Sequence, residues 1–336
     1  MPILNKLAKG STIGIISPSA PLAGLVRNRA ERGIKALEEM GFSVKVGNNA
    51  MKVRGYKSGT AQERAADINS FFSDNKIDAI FSFIGGNHSN QILQYLDFDL
   101  IKNNPKIILG YSDMTVLLLA IYVKTGMTTF YGPSVMNQFG EYPKIFPYTK
   151  EYFEKCLISK DVIGKVEPSK EWTDEFLDWF AGDDLKRERN LKKNDGYIWI
   201  KEGACEGKLI GGCISSLMHL RGTEFWPDFK DSILFWEIPE GSEFSKGETI
   251  YNVDAYLTDL KLNNVFDKIS GMIIGRPFCY SVEDNSSLIE VIKEQTMEYD
   301  FPILFNVDIG HTDPMITLPI GRKASLDSKN NEFIIG

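Results

Sequence analysis

Histidine is scarce in this 336-residue chain: three copies stand against 38 lysines and arginines and 45 aspartates and glutamates. A reaction that needs an imidazole base can draw only on His88, His219 or His311. Cysteine is nearly as rare. None of Cys156, Cys205, Cys213 and Cys279 forms a C-x-x-C pair or has a histidine at metal-ligand spacing, which argues against a zinc site. Reduced, mostly buried thiols and no bound metal are the expectation. No uninterrupted apolar segment nears the ~20 residues of a membrane span, and residues 1–10 lack an apolar core of signal-peptide length. Basic residues are not in excess, and a net charge of -7 argues against a nucleic-acid polymer as partner. G-x-G-x-x-G and P-loop patterns are missing, which disfavours a dinucleotide or nucleoside-triphosphate enzyme, and no cofactor is expected. A cytoplasmic location without membrane attachment fits these absences.

What is present is ordinary globular composition, 43% hydrophobic and 25% charged, in a chain long enough for two domains. The first part alternates strand and helix patterns. Apolar runs at residues 12–17, 42–46, 78–84 and 106–109 read as buried strands. Helical spacing fills residues 25–40, and Thr60 with Glu63 forms a capping box before the next helix. Further helices are expected after Gly85-Gly86, through Leu93, and after Asp113. This rhythm predicts a parallel sheet with helices on both faces. Ligands on such sheets bind beyond the carboxyl ends of the strands, where Ser17, Gly85-Gly86 and Ser112 fall.

From about residue 141 the pattern changes to aromatics and prolines, then to a charged, irregular stretch. Trp172, Phe176 and Trp179 lie too close together for a disordered tail and predict an ordered insertion. The run Asp183-Asp184-Leu185-Lys186-Arg187-Glu188-Arg189 reads as a solvated surface. Beyond Gly196, short strands and helices alternate irregularly. The expected organisation is an N-terminal α/β domain over residues 1–160, a linker and Trp-rich insertion over 161–195, and a smaller C-terminal α+β domain with a mixed sheet over 196–336.

The tetrad Gly110-Tyr111-Ser112-Asp113 follows a buried strand and opens a helix. That geometry lifts a serine hydroxyl out of the chain and sets backbone N–H groups beside it, as an acyl-transfer nucleophile needs. Ser112 or Asp113 as a plain helix cap is the competing reading. Among the histidines, His219 lies in an apolar helix that suits a packed, hydrogen-bonded side chain. His88 sits at a helix start, where it either touches substrate or faces solvent. His311 lies where a strand-like run opens into Gly310-His311-Thr312-Asp313-Pro314, the best setting for a base. A base needs a carboxylate to fix its tautomer. Glu237 closes the apolar run Ile233-Leu234-Phe235-Trp236 and is therefore either paired or functional, with Asp113 and Asp308 as competitors. Gly85-Gly86 suits close approach of backbone to a ligand, so an N–H there, with that of Asp113, would form an oxyanion hole. A tight strand-to-helix turn would satisfy the same glycines.

Together these segments resemble the LD-carboxypeptidase family of serine peptidases, which includes the microcin C immunity (MccF-like) carboxypeptidases. The resemblance runs in order through Ile15-Ile16-Ser17-Pro18-Ser19-Ala20-Pro21, Phe83-Ile84-Gly85-Gly86-Asn87, Gly110-Tyr111-Ser112-Asp113 and Tyr131-Gly132-Pro133. It continues through Leu209-Ile210-Gly211-Gly212, Arg221-Gly222-Thr223, Trp236-Glu237 and Gly310-His311-Thr312-Asp313-Pro314. It implies a flavodoxin-like N-terminal domain carrying the nucleophile Ser112, and a C-terminal domain supplying Glu237 and the base His311. Gly86 and Asp113 would hold the oxyanion through their N–H groups, with an acyl-enzyme, no metal and a homodimeric assembly.

Residues 85–90 and the Trp-rich insertion look like the microcin branch. That branch cleaves peptidyl- or aminoacyl-nucleotides for self-immunity or detoxification. There Asn87 and His88 would line the substrate pocket, and Trp172 or Trp179 would stack on a base. His88 departs from the small residue common in the family, and each Trp serves equally well to pack the insertion onto the body. The alternatives are a murein tetrapeptide carboxypeptidase of peptidoglycan recycling, and a non-catalytic two-domain binder of a small ligand.

Overall fold

Two large β-sheets and the helices around them make up residues 4–336, the part described by this computed structural model. In the first sheet, β1 (Thr12–Ile16), β2 (Ser43–Val46), β3 (Ala79–Ser82), β4 (Ile107–Gly110) and β5 (Thr129–Tyr131) run parallel in the order β2-β1-β3-β4-β5. This is the flavodoxin-like order, with its switch point between β1 and β3. The second sheet contains β6 (Gly164–Lys165), β9 (Ile198–Lys201), β10 (Ala204–Cys213), β11 (Ser232–Glu237), β12 (Ile269–Gly275), β13 (Ile303–Val307), β15 (Lys323–Asp327) and β16 (Glu332–Ile335). Its centre, β10-β11-β12-β13, is parallel, and antiparallel strands flank it on both sides. The sheet is mixed, as the sequence predicts. A small hairpin of β7 (Glu171–Trp172) and β8 (Lys192–Lys193) stands apart.

Period-two alternation divides the first sheet's side chains between two faces. Ile13, Ile15, Ala79, Phe81, Ile107 and Leu109 pack on one face with the helices Arg27–Glu39 and Pro147–Leu157. Ile16, Ile80 and Ile108 lie on the other, in a core that continues into Ile233, Phe235 and Ile273 of the second sheet. The helix Met114–Thr125 fills the space between the sheets, and every residue from Met114 to Ile121 is buried. Its run of leucines carries no polar face because both sides meet protein. The helix that starts two residues after Ser112 therefore stands on an apolar bed shared by both sheets.

Several expectations change. The capping box of Thr60 and Glu63 forms as predicted. The helix expected after Gly85-Gly86 is a 3-10 segment, Ser89–Tyr95. Residues 147–157, marked in the sequence only by aromatics and prolines, form a helix, and Pro147 stands at its first position, where its missing N–H costs nothing. The charge run at 183–189 is not all solvated: Asp184 is buried and pairs with Arg29 and Arg32. Near the end of the chain, β14 (Leu318–Ile320) adds to β5 of the first sheet as an antiparallel edge while lying beside β10 of the second.

Phe153 packs edge-on to Phe42, Phe81 and Phe139 in the first core. Phe153→Ala is expected to lower the unfolding free energy by about 3–5 kcal/mol, which a urea denaturation series on the two proteins measures.

Candidate active site

β4 ends at Gly110, and Ser112 follows with φ of 61°, in the left-handed region that non-glycine residues seldom occupy. Such strain persists only where the surroundings enforce it. Ser112 N–H donates to the Tyr131 hydroxyl at 3.2 Å, and Ser112 C=O accepts from Thr115 N–H and Oγ at 2.9 and 2.7 Å. The serine side chain makes no cap bond. Asp113 occupies the cap position instead, also without a side-chain cap bond.

The Asp113 carboxylate turns toward the glycine loop. One of its oxygens accepts from His88 N–H, Ser89 N–H and Ser89 Oγ at 2.8–2.9 Å. His88 N–H is shared with Ser19 Oγ at 2.8 Å, so the β1 turn, the glycine loop and the serine elbow are tied together. A Cβ on Gly85 would lie 2.8 Å from Ser112 Cβ and 3.1 Å from Asp113 N, a spacing that a side chain would break. Neither Gly86 N–H nor Asp113 N–H has a hydrogen-bond partner among the described residues. Two free donors beside a raised hydroxyl are what an oxyanion requires.

Glu237 ends β11 with no solvent exposure. Its Oε1 accepts from Tyr131 Oη at 2.5 Å, and its Oε2 bonds His311 Nδ1 at 2.8 Å. Gly310 lies so close that a Cβ there, at φ 93°, would collide with the Glu237 carboxylate. The other ring nitrogen of His311, Nε2, faces Glu240 Oε2 at 3.2 Å. Burial works against a charge on His311, but Glu237, Glu240 and Asp313 outweigh it and raise its pKa to about 9. The Tyr111 ring packs 4.9 Å from the His311 ring, and burial together with Asp313, Glu240 and Glu237 pushes its hydroxyl pKa well above the usual value.

The structure thus gathers Ser112, Glu237 and His311 at one junction of the two sheets. Asp308, the competitor for Glu237, is committed elsewhere: it pairs with Arg276 and accepts from Ser169. His219 is half-buried rather than packed away, and its Nε2 bonds Asn87 Oδ1 at 2.8 Å across the glycine loop. The His88 ring rests 4.8 Å from Tyr56. Trp172 stacks with Arg276 and Lys192, each 4.7 Å from the ring, and its neighbour Thr173 bridges to Asp313 of the histidine loop. Trp179 is used for packing, with the Arg29 guanidinium 4.0 Å from its ring. Arg189 of the insertion pairs with both Glu141 and Asp313 at 2.7 Å, so the insertion grips Asp313 of the histidine loop through both Thr173 and Arg189. Sequence reasoning passed over Tyr131 and Glu240. Tyr131 stands in a segment already singled out and Glu240 shortly after another, but a hydroxyl inside a strand and a carboxylate in a turn carry no pattern of their own.

Residues 13–132 match the LD-carboxypeptidase N-terminal domain, and residues 206–326 match the C-terminal domain. The microcin C7 self-immunity protein MccF of Escherichia coli is 38% identical over 333 residues, covering 98% of this chain and 94% of that protein. A probable murein peptide carboxypeptidase of Bacillus subtilis (strain 168) is 29% identical over 332 residues, 98% of this chain and 92% of that one. A solved structure of MccF in complex with aspartyl sulfamoyl adenosine superposes with a TM-score of 0.90 at 38% identity, covering 99% of this chain and 98% of its own.

Tyr131→Phe removes the donor to Glu237 and the acceptor of Ser112 N–H. It is expected to cost about 1–3 kcal/mol of stability, read by chemical denaturation. Because the His311 pKa is raised on folding, its contribution is complete below the ordinary histidine pKa of about 6.5 and is lost as pH rises through about 9. Thermal unfolding midpoints taken across that interval should fall, and should fall less in a His311→Gln variant.

Proposed function

The chain belongs to the LD-carboxypeptidase family and is a serine-type carboxypeptidase, and on that premise we propose that Ser112, His311 and Glu237 form its catalytic triad. Ser112 Oγ attacks the carbonyl carbon beside the substrate's C-terminal group while neutral His311 takes its proton on Nε2. Glu237 holds Nδ1–H and stabilises the imidazolium that forms. The N–H groups of Gly86 and Asp113 receive the carbonyl oxygen as it becomes anionic. His311 then gives its proton to the leaving nitrogen, and water, deprotonated by the same imidazole, releases the acyl group from Ser112. The observation that carries this reading is the buried bridge from His311 through Glu237 and Tyr131 to the backbone of Ser112.

For substrate, the microcin branch is favoured. The relative with 38% identity is an immunity protein, and the matching solved structure holds an aminoacyl nucleotide analogue. We infer a peptidyl- or aminoacyl-nucleotide as substrate and self-immunity or detoxification as role. The segment Asn87-His88 flanks the proposed oxyanion donors and the Trp172 hairpin adjoins the histidine loop, which supports both as walls of the substrate site. Trp179, stacked on Arg29, is better placed to anchor the insertion. A cytoplasmic homodimer goes with the same reading. No helix among the described residues is long and apolar enough to cross a membrane.

A fluorophosphonate probe is expected to label wild-type protein at Ser112, and Ser112→Ala to lose labelling and at least about 10⁴-fold in kcat while folding normally. Aminoacyl sulfamoyl adenosine and murein tetrapeptide are assayed side by side. A higher kcat/KM on the first supports the microcin reading, and the reverse order assigns the enzyme to peptidoglycan recycling.

A further inference from the structure

The peptide groups on either side of Ser112 are both held, and both holds lead to the second sheet. On the amide side, Ser112 N–H donates to Tyr131 Oη at 3.2 Å, and Tyr131 Oη donates to Glu237 at 2.5 Å. On the carbonyl side, Thr115 Oγ1 donates to Ser112 C=O at 2.7 Å and accepts from Cys213 N–H at 2.9 Å. Cys213 ends β10, Glu237 ends β11, and the two are register partners in that parallel pair. Two neighbouring strand ends of the second sheet thus grip the elbow of the first sheet at the residue whose φ of 61° has to be enforced.

A threonine near a helix start often bonds a backbone carbonyl one turn back for purely local reasons. Thr115 differs in what its oxygen receives. It is fully buried, and its lone pair is taken by a donor 98 residues away. Because Cys213 N–H can only donate, the single hydroxyl proton of Thr115 is committed to Ser112 C=O. A Cβ on Gly212 would collide with Thr115 Oγ1, so β10 comes this close only because its penultimate residue has no side chain.

A trans peptide is a rigid plane whose C=O and N–H point in opposite directions. Ser112 C=O and Asp113 N–H are the two ends of one such plane. With the carbonyl fixed toward Thr115, Asp113 N–H is aimed the other way, where it has no partner among the described residues. We propose that Thr115 is a positioning residue that aims Asp113 N–H at the oxyanion, its own hydroxyl being set by the end of β10 through Cys213 N–H. This rests on the triad and the oxyanion donors proposed above. The oxyanion exists only once Ser112 has attacked, so a tilted donor weakens the transition state and leaves substrate binding alone. Without the hydroxyl, Thr115 N–H still bonds Ser112 C=O at 2.9 Å, so the helix start survives while the plane loses its second anchor.

The test compares the full wild-type chain with Thr115→Val, which keeps the shape and removes the hydroxyl, and Thr115→Ser, which keeps the hydroxyl. On aspartyl sulfamoyl adenosine, Thr115→Val is expected to lose about tenfold to a hundredfold in kcat, the scale of a misplacement of up to about 1 Å. KM should stay unchanged, the pattern of an interaction made only in the transition state. Fluorophosphonate labelling should slow by a similar factor, and Thr115→Ser should recover most of both rates. Should Thr115→Val not fold, Thr115→Ala carries the same expectation. Wild-type kcat in the variant without the hydroxyl, a change confined to KM, or an equal loss in Thr115→Ser would overturn the role of Thr115 and leave the triad standing. Failure of the wild-type chain itself to label or to hydrolyse would overturn the triad, and this inference with it.

Discussion

The Glu237 carboxylate is a charge with no access to water, and the site is organised around the need to satisfy it. An unpaired buried carboxylate is costly enough that a protein must supply partners or neutralise the group. Its two partners come from different places. Tyr131 reaches it from β5 of the first sheet, and His311 from the loop after β13 of the second. Docking of the sheets and completion of the polar cluster are thus one event. The leucine-rich helix between the sheets supplies the apolar drive, and the Tyr131-Glu237-His311 chain fixes one register of the many that apolar packing alone would allow. The tight approach of Gly310 and Gly275 to Glu237 shows how little room that register leaves.

The insertion adds a second polar chain. Arg29, Asp184, Glu141, Arg189 and Asp313 connect the helix Arg27–Glu39 to the histidine loop through buried contacts. Buried ion pairs of this kind contribute little net stability, but losing one partner costs about 3–5 kcal/mol. Their effect is to make the insertion and the histidine loop move as a unit. The backbone of Asp313 itself is held by paired hydrogen bonds with Thr173, 2.7 and 2.9 Å long. His311 is therefore braced from the first sheet, the second sheet and the insertion together.

Much of this was legible in the chain. Buried strands announced themselves as short apolar runs, and the parallel sheet followed from their alternation with helices. Ser112 and His311 were accessible because each closes a strand and the histidines are few. Glu237 was visible as a charge at the end of an apolar run. What stayed hidden depends on contacts between distant segments. Tyr131 reads as one more aromatic in a strand until β4 and β5 pair beside β11. Glu240 reads as a turn carboxylate until its hairpin folds back on His311. Asp184 lies in a run of charges that looks solvated, and only its two arginine partners from an earlier helix make burial affordable. Likewise β14 is a three-residue strand whose pairing with the first sheet no local pattern discloses.

That last strand has a consequence for the order in which the molecule becomes dangerous. During synthesis the elbow bearing Ser112 emerges long before the segment bearing His311. At about 5–20 residues per second the interval is on the order of tens of seconds. Throughout it the outer edge of β5 is unpaired, and Tyr131 has no covering strand beside it. The nascent chain therefore carries the proposed nucleophile, Ser112, without its proposed base. The segment that delivers the base is followed within a few residues by the strand that seals the sheet, so reactivity and closure arrive together.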